Sequence, residues 1–124
     1  MRSAMTERRI LIAAGALALI AMLTTPALAD DKKAVLINLA SNEYFKAVNS
    51  KAFAGTIITP VFKEKKGDSY KVIAILAKRA RGLMARYIIK KKLKTPTALK
   101  KFNVDGYAYQ AALSTDTEWM FTRG

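Results

Sequence analysis

The sequence contains neither cysteine nor histidine. Without cysteine no disulfide can form, which removes the usual staple of small exported domains. Thiol redox chemistry is excluded with it. Zinc sites of the Cys/His kind and histidine acid–base catalysis are excluded too. An enzyme made from this chain must work with carboxylate, lysine, tyrosine or serine. Acidic residues are also scarce, 9 Asp and Glu against 22 Lys and Arg, so the 124-residue chain carries a formal net charge of +13. No internal repeat or low-complexity segment interrupts it. Such a charge density predicts attraction to polyanions: nucleic acid, anionic membrane or acidic polysaccharide.

Residues 1–29 read as an export signal. Arg2, Arg8 and Arg9 supply a positive start, residues 10–23 are almost wholly apolar, and Ala27-Leu28-Ala29 has the form of a cleavage site. An uncleaved membrane anchor is the competing reading, because the apolar stretch approaches spanning length. Removing residues 1–29 leaves a single small domain, residues 30–124, with 19 basic and 8 acidic side chains. An exported or periplasmic location follows if the signal is genuine.

Along the remainder, Ala34-Val35-Leu36-Ile37-Asn38-Leu39 is a continuous apolar run of the kind a buried strand needs. Ser41 then caps a short helix over 42–48. Residues 55–62 read as a strand in which Pro60 marks an edge or bulge. Gly67-Asp68 turns the chain into a partner strand over 70–76. A long helix over 77–92 follows, and Thr95-Pro96 starts another that ends near 101. Residues 107–113 and 118–123 read as final strands. The order β-α-β-β-α-α-β-β predicts one small α+β domain.

Two groups of residues carry possible chemistry. In Ala77-Lys78-Arg79-Ala80-Arg81-Gly82-Leu83-Met84-Ala85-Arg86-Tyr87-Ile88-Ile89, the residues Ala80, Leu83, Met84, Tyr87 and Ile88 form a core-facing stripe. Lys78, Arg79 and Arg86 lie on the other side around Gly82, with Arg81 at the margin. These four cations suit phosphate oxygens, and a mid-helix glycine, which costs about 1 kcal/mol against alanine, would let a strand approach closely. Lys90, Lys91, Lys92, Lys94, Lys100 and Lys101 would extend that field; the competing readings are a solvated cationic face and, for Lys90-Lys91-Lys92, a solvated helix end. The second group is Asn38, Ser41, Glu43 and Tyr44, a polar cluster at the end of a buried strand, where α/β folds build ligand sites. Its competing reading is a capping and turn network. Tyr87, Tyr107, Tyr109 and Trp119 fit core positions better than base-stacking ones.

The basic segment and Asn38-Leu39-Ala40-Ser41-Asn42-Glu43-Tyr44-Phe45 together resemble the YaaA family of bacterial peroxide-stress proteins. Ile58-Thr59-Pro60-Val61-Phe62, Gly67-Asp68-Ser69-Tyr70-Lys71-Val72-Ile73 and Phe102-Asn103-Val104-Asp105-Gly106-Tyr107 follow in family order. The resemblance covers roughly residues 34–123 and corresponds to the carboxy-terminal part of longer cytoplasmic proteins. It implies a portion of the unusual α/β arrangement sometimes called the cantaloupe fold, with a positively charged cleft and an incomplete sheet. It also implies non-enzymatic DNA binding without a cofactor, limiting iron-driven oxidative damage. The family pattern maps onto Lys78, Ala80, Arg81, Gly82, Met84 and Arg86. Strands that relatives cover with absent segments predict self-association. Two other functions stay open: an exported cationic protein binding anionic envelope polymers or membrane, and an enzyme using the Asn38–Tyr44 cluster with Lys78 and Arg81.

Overall fold

A computed structural model describes residues 10–13, 34–41, 45 and 53–124. Its strands are β1 (Ile10–Ala13), β2 (Val35–Asn38), β3 (Thr56–Lys66), β4 (Ser69–Lys71), β5 (Ala108–Tyr109) and β6 (Glu118–Arg123). They make one mixed sheet in the order β1-β2-β3-β6-β5, with β4 paired antiparallel to β3. One long helix, α1 (Ala74–Lys91), and short 3₁₀ segments complete the described residues. The α+β class holds.

β2 is buried along its whole length between two parallel neighbours, Val35 standing beside Ile10 on β1 and beside Thr56 on β3. Cover on both faces is why its sequence runs apolar without alternation. β3 alternates instead: Ile58, Pro60, Phe62 and Glu64 point inward. Thr59 donates its N–H to the Thr117 carbonyl at 2.7 Å, on the β6 side. The Pro60 nitrogen therefore faces the opposite side, past the last β2–β3 pair at Ile58, where no ladder bond is lost.

Ala77, Ala80, Met84 and Ile88 of α1 are buried against Val35, Ile37, Ile58, Phe62 and Phe121, with Leu83 and Tyr87 half-buried beside them. The predicted helical stripe is the core face. Phe62 sits among Phe102, Tyr107 and Phe121, with ring centroids 5.3–6.0 Å apart. Tyr107 and Trp119 are core residues, as their spacing implies.

Four boundaries differ from expectation; the first is that the strand read over 55–62 continues to Lys66, because residues 63–66 pair with β6 and β4. The β3–β4 ladder stops at Glu64 and Lys71, and Ala77 donates its N–H to the Ile73 carbonyl at 2.8 Å. The helix thus starts at Ala74, and the predicted strand over 70–76 shrinks to Ser69–Lys71. The strand predicted over 107–113 ends at Tyr109, because residues 111–113 turn into a 3₁₀ helix. Thr95-Pro96 does open a helix, but it is 3₁₀ (Pro96–Lys101). Of the short helix expected over 42–48 only Phe45 is described; it is helical and donates its N–H to the Ser41 carbonyl at 3.0 Å.

Within the stretch read as an export signal, Ile10–Ala13 form the edge strand β1. No helix among the described residues is long and apolar enough to cross a membrane. Cleavage after Ala29 would strip β1 and bare the β2 edge. A chain lacking residues 1–29 is therefore expected to lose about 2–4 kcal/mol, from three half-buried large apolar side chains, and to self-associate. Urea unfolding and sedimentation velocity check this. An equally stable, monomeric truncated chain would show that β1 contributes nothing.

Candidate nucleic-acid interface

Helix α1 has no acidic residue in its first turn and ends on Lys90 and Lys91, where cations favour the helix dipole. Lys92 closes it in the left-handed conformation, φ 50°. At 3.6 residues per turn, Arg79, Arg86 and Lys90 recur at i, i+7 and i+11 along one exposed stripe, whereas Lys78 and Arg81 lie farther round the helix. The four cations read as phosphate-binding, Lys78, Arg79, Arg81 and Arg86, therefore do not share one surface. Arg81 is half-buried, and loss of water lowers its pKa; among the described residues no carboxylate pairs with it. Arg79 lies 3.8 Å from Asp105.

The stripe opens onto a cavity of about 580 Å³ between α1 and residues 101–104. Leu83, Tyr87 and Val104 form its apolar floor, packed against the core. Arg86, Lys90, Lys91 and Lys101 stand around it with Asn103. All four cations are exposed, and none is paired with a carboxylate among the described residues. Lys90 and Lys91, read from sequence as a solvated helix end, are exposed but line this cavity. Lys101 reaches it because the 3₁₀ helix started by Pro96 delivers the chain beside α1. Its neighbour Lys100 is engaged elsewhere, with Nζ 4.9 Å from the Trp119 ring and 5.3 Å from that of Tyr109.

Beside the cavity lies a network that the sequence did not disclose. Glu64, buried on β3, accepts hydrogen bonds from the Tyr107 hydroxyl at 2.5 Å and from Arg123 Nε at 2.8 Å. Arg123 also donates to the Asp105 carboxylate at 2.8 Å and stacks over Tyr107 at 4.7 Å. Burial pushes the Glu64 carboxyl up, but the Tyr107 and Arg123 hydrogen bonds outweigh it and hold the group below its ordinary range. Tyr107 is pushed up to about 12 by burial and by the hydrogen bond to Glu64. Asp105 itself has φ 59°, and Gly106 follows at φ 83°, where an added Cβ would lie 3.3 Å from Arg123 Cδ. These bonds tie the 105–106 turn, which follows the cavity residues Asn103 and Val104, to the sheet. One signal was available: Glu64 falls on the inward register of Ile58, Pro60 and Phe62, and a carboxylate there needs partners.

The second predicted group is only partly described, since Glu43 and Tyr44 lie outside the described residues. Asn38 is buried and engaged: its Oδ1 accepts the Ala40 N–H at 3.1 Å, and its Nδ2 donates to Thr59 Oγ1 at 3.4 Å. This is turn formation at the end of β2. Ser41 accepts the Phe45 N–H through its carbonyl at 3.0 Å.

Gly82 lies on the exposed face of α1, and among the described residues nothing comes within 4 Å of an added Cβ. The fold thus gives no steric reason for glycine there. Gly82→Ala is expected to raise stability by about 0.5–1 kcal/mol, measured by urea unfolding. A loss of stability would reveal a close neighbour among the residues outside those described.

Comparison with known proteins agrees with the motif reading. A family model described as peroxide stress protein YaaA matches residues 21–113, beginning inside the stretch read as export signal. A UPF0246 protein of Hahella chejuensis is 55% identical over 89 residues, covering 72% of this chain and 35% of the relative. One from Magnetococcus marinus is 59% identical over 88 residues, covering 71% and 34%. One from Alcanivorax borkumensis is 58% identical over 94 residues, covering 76% and 36%. The chain spans about a third of the length of the curated relatives it matches.

Proposed function

For a chain that belongs to the YaaA family of peroxide stress proteins, we propose a role in that response through sequence-independent DNA binding, without catalysis. The observation that supports this is the set Arg86, Lys90, Lys91 and Lys101 gathered at one cavity with no carboxylate among the described residues to neutralise it. Unpaired cations in a concave, partly apolar wall focus positive potential and make charge-assisted hydrogen bonds to phosphate. Arg79 extends the stripe, and Lys78 with Arg81 offers a flank to a strand that passes round α1 over Gly82. Among the described residues no group of three carboxylates could hold a metal ion. Protection from iron-driven damage would then come from occupying DNA.

The test is a salt titration of the full chain against two duplexes of unrelated sequence, with heparin and anionic vesicles alongside. Equal duplex affinities are expected, with a log–log salt slope of roughly −3 to −4, for about four neutralised phosphates. Vesicle or heparin binding as tight as duplex binding would transfer the reading to anionic envelope polymers, the role that an exported chain would have.

A further inference from the structure

The cavity carries more than a row of phosphate contacts requires. A duplex backbone needs cations on a surface; it has no use for an apolar recess, because paired bases are stacked inside the helix. Here the cations surround a floor of Leu83, Tyr87 and Val104. The volume, about 580 Å³, lies within the range of small-molecule sites, roughly 300–1,000 Å³. Asn103 is exposed at the wall, with both an amide donor and an amide acceptor for a base edge. The wall is held: Arg123 donates to both the carbonyl and the carboxylate of Asp105, and Tyr87 packs edge-to-face on Phe102 at 5.2 Å. A floor fixed in this way is preorganised for a flat ligand.

Resting on the DNA-binding reading above, we propose that this cavity seats one unstacked nucleotide of a DNA strand. The base lies over Leu83, Tyr87 and Val104, and its phosphate meets Arg86 and Lys101. Strand ends, gaps and single strands present such a nucleotide without the energy needed to extrude one from a duplex. The chain accordingly prefers interrupted or single-stranded DNA to continuous duplex, and the cations alone account for what duplex binding remains.

Fluorescence anisotropy with the full chain tests this. The probes are a short oligothymidylate, a blunt duplex and the same duplex with a one-nucleotide gap, with thymidine monophosphate, deoxyribose 5-phosphate and inorganic phosphate as competitors. Oligothymidylate and gapped duplex should bind at least about five-fold tighter than blunt duplex, the scale of one base on an aromatic platform. Thymidine monophosphate should compete better than either phosphate lacking a base. Tyr87→Leu should abolish the preference; Asn103→Ala, on an exposed residue, should weaken it without touching the core. Equal affinity for all DNA forms, unchanged in both variants, overturns the nucleotide seat and leaves sequence-independent binding standing. Failure to bind any DNA overturns both.

Discussion

Glu64→Ala should lower the unfolding free energy by about 3 kcal/mol, the low end of what breaking a buried pair costs. Glu64 is 8% exposed, and its carboxylate is the acceptor for both the Tyr107 hydroxyl and Arg123 Nε. Truncation leaves a buried phenol without its acceptor and a guanidinium without one of its two carboxylates. Arg123 keeps Asp105 and some contact with water, which places the loss at the low end. Against a total of about 5–15 kcal/mol for a small domain, that is a large fraction. Glu64→Gln retains an acceptor and should cost about 1–2 kcal/mol; Tyr107→Phe keeps the packing on Phe62 and should cost about 1 kcal/mol. Urea unfolding of the three variants and of the Glu64→Ala, Tyr107→Phe double variant measures the coupling. A loss below about 0.5 kcal/mol for Glu64→Ala would mean that water already satisfies these groups.

The same network sets a pH profile. The folded Glu64 carboxyl titrates below its ordinary value of 4.5, so its contribution is fully present above that value and is lost as pH falls through the lower, folded one. Tyr107 works in the opposite sense: its folded pKa of about 12 against an ordinary 10 gives stability that is present below pH 10 and lost as pH rises towards 12. Glu64→Gln should flatten the acid limb, and Tyr107→Phe the alkaline one. Thermal unfolding across pH checks both.

What the sequence disclosed and what it hid follow from how far each feature reaches. β2 was legible because four consecutive apolar residues, Ala34-Val35-Leu36-Ile37, require burial on both faces, and β6 because Glu118–Arg123 is short and bounded by turn residues. The α1 core stripe was legible because helical period is a local property. β1 was not, since Ile10–Ala13 beside Arg8 and Arg9 serves equally as the apolar heart of an export signal and as a parallel edge strand. The start of α1 was misplaced because Ala74, Ile75 and Leu76 fit either period. The cavity joins residues of α1 to residues ten or more positions later, and the Glu64 network spans separations of 43 and 59 residues. No local pattern encodes such meetings. The family motif marked the basic helix but not its geometry: Lys78 and Arg81 share a motif with Arg86 without sharing its face.

That split yields the second large effect. Arg86→Ala with Lys101→Ala should weaken duplex binding by about a hundred-fold near 0.1 M salt, since each charged hydrogen bond contributes about 1.5 kcal/mol or more. It should also flatten the salt slope by about two, one unit for each phosphate released. Both residues are exposed and unpaired among the described residues, so stability should not change. Lys65→Ala with Lys71→Ala removes the same charge from the β3–β4 hairpin, outside the cavity. A long-range field alone predicts equal losses for the two pairs; a site predicts less than about three-fold for the hairpin pair, because exposed charges beyond a Debye length of about 10 Å are largely screened. A third pair, Lys78→Ala with Arg81→Ala, decides how far the strand wraps. A loss matching the cavity pair would extend the interface round α1 past Gly82, as the motif implies. A loss matching the hairpin pair would confine it to the stripe of Arg79, Arg86 and Lys90 and the facing Lys101. Indistinguishable losses for all three pairs would leave diffuse electrostatics, and the envelope-polymer reading would then explain the charge better than DNA does.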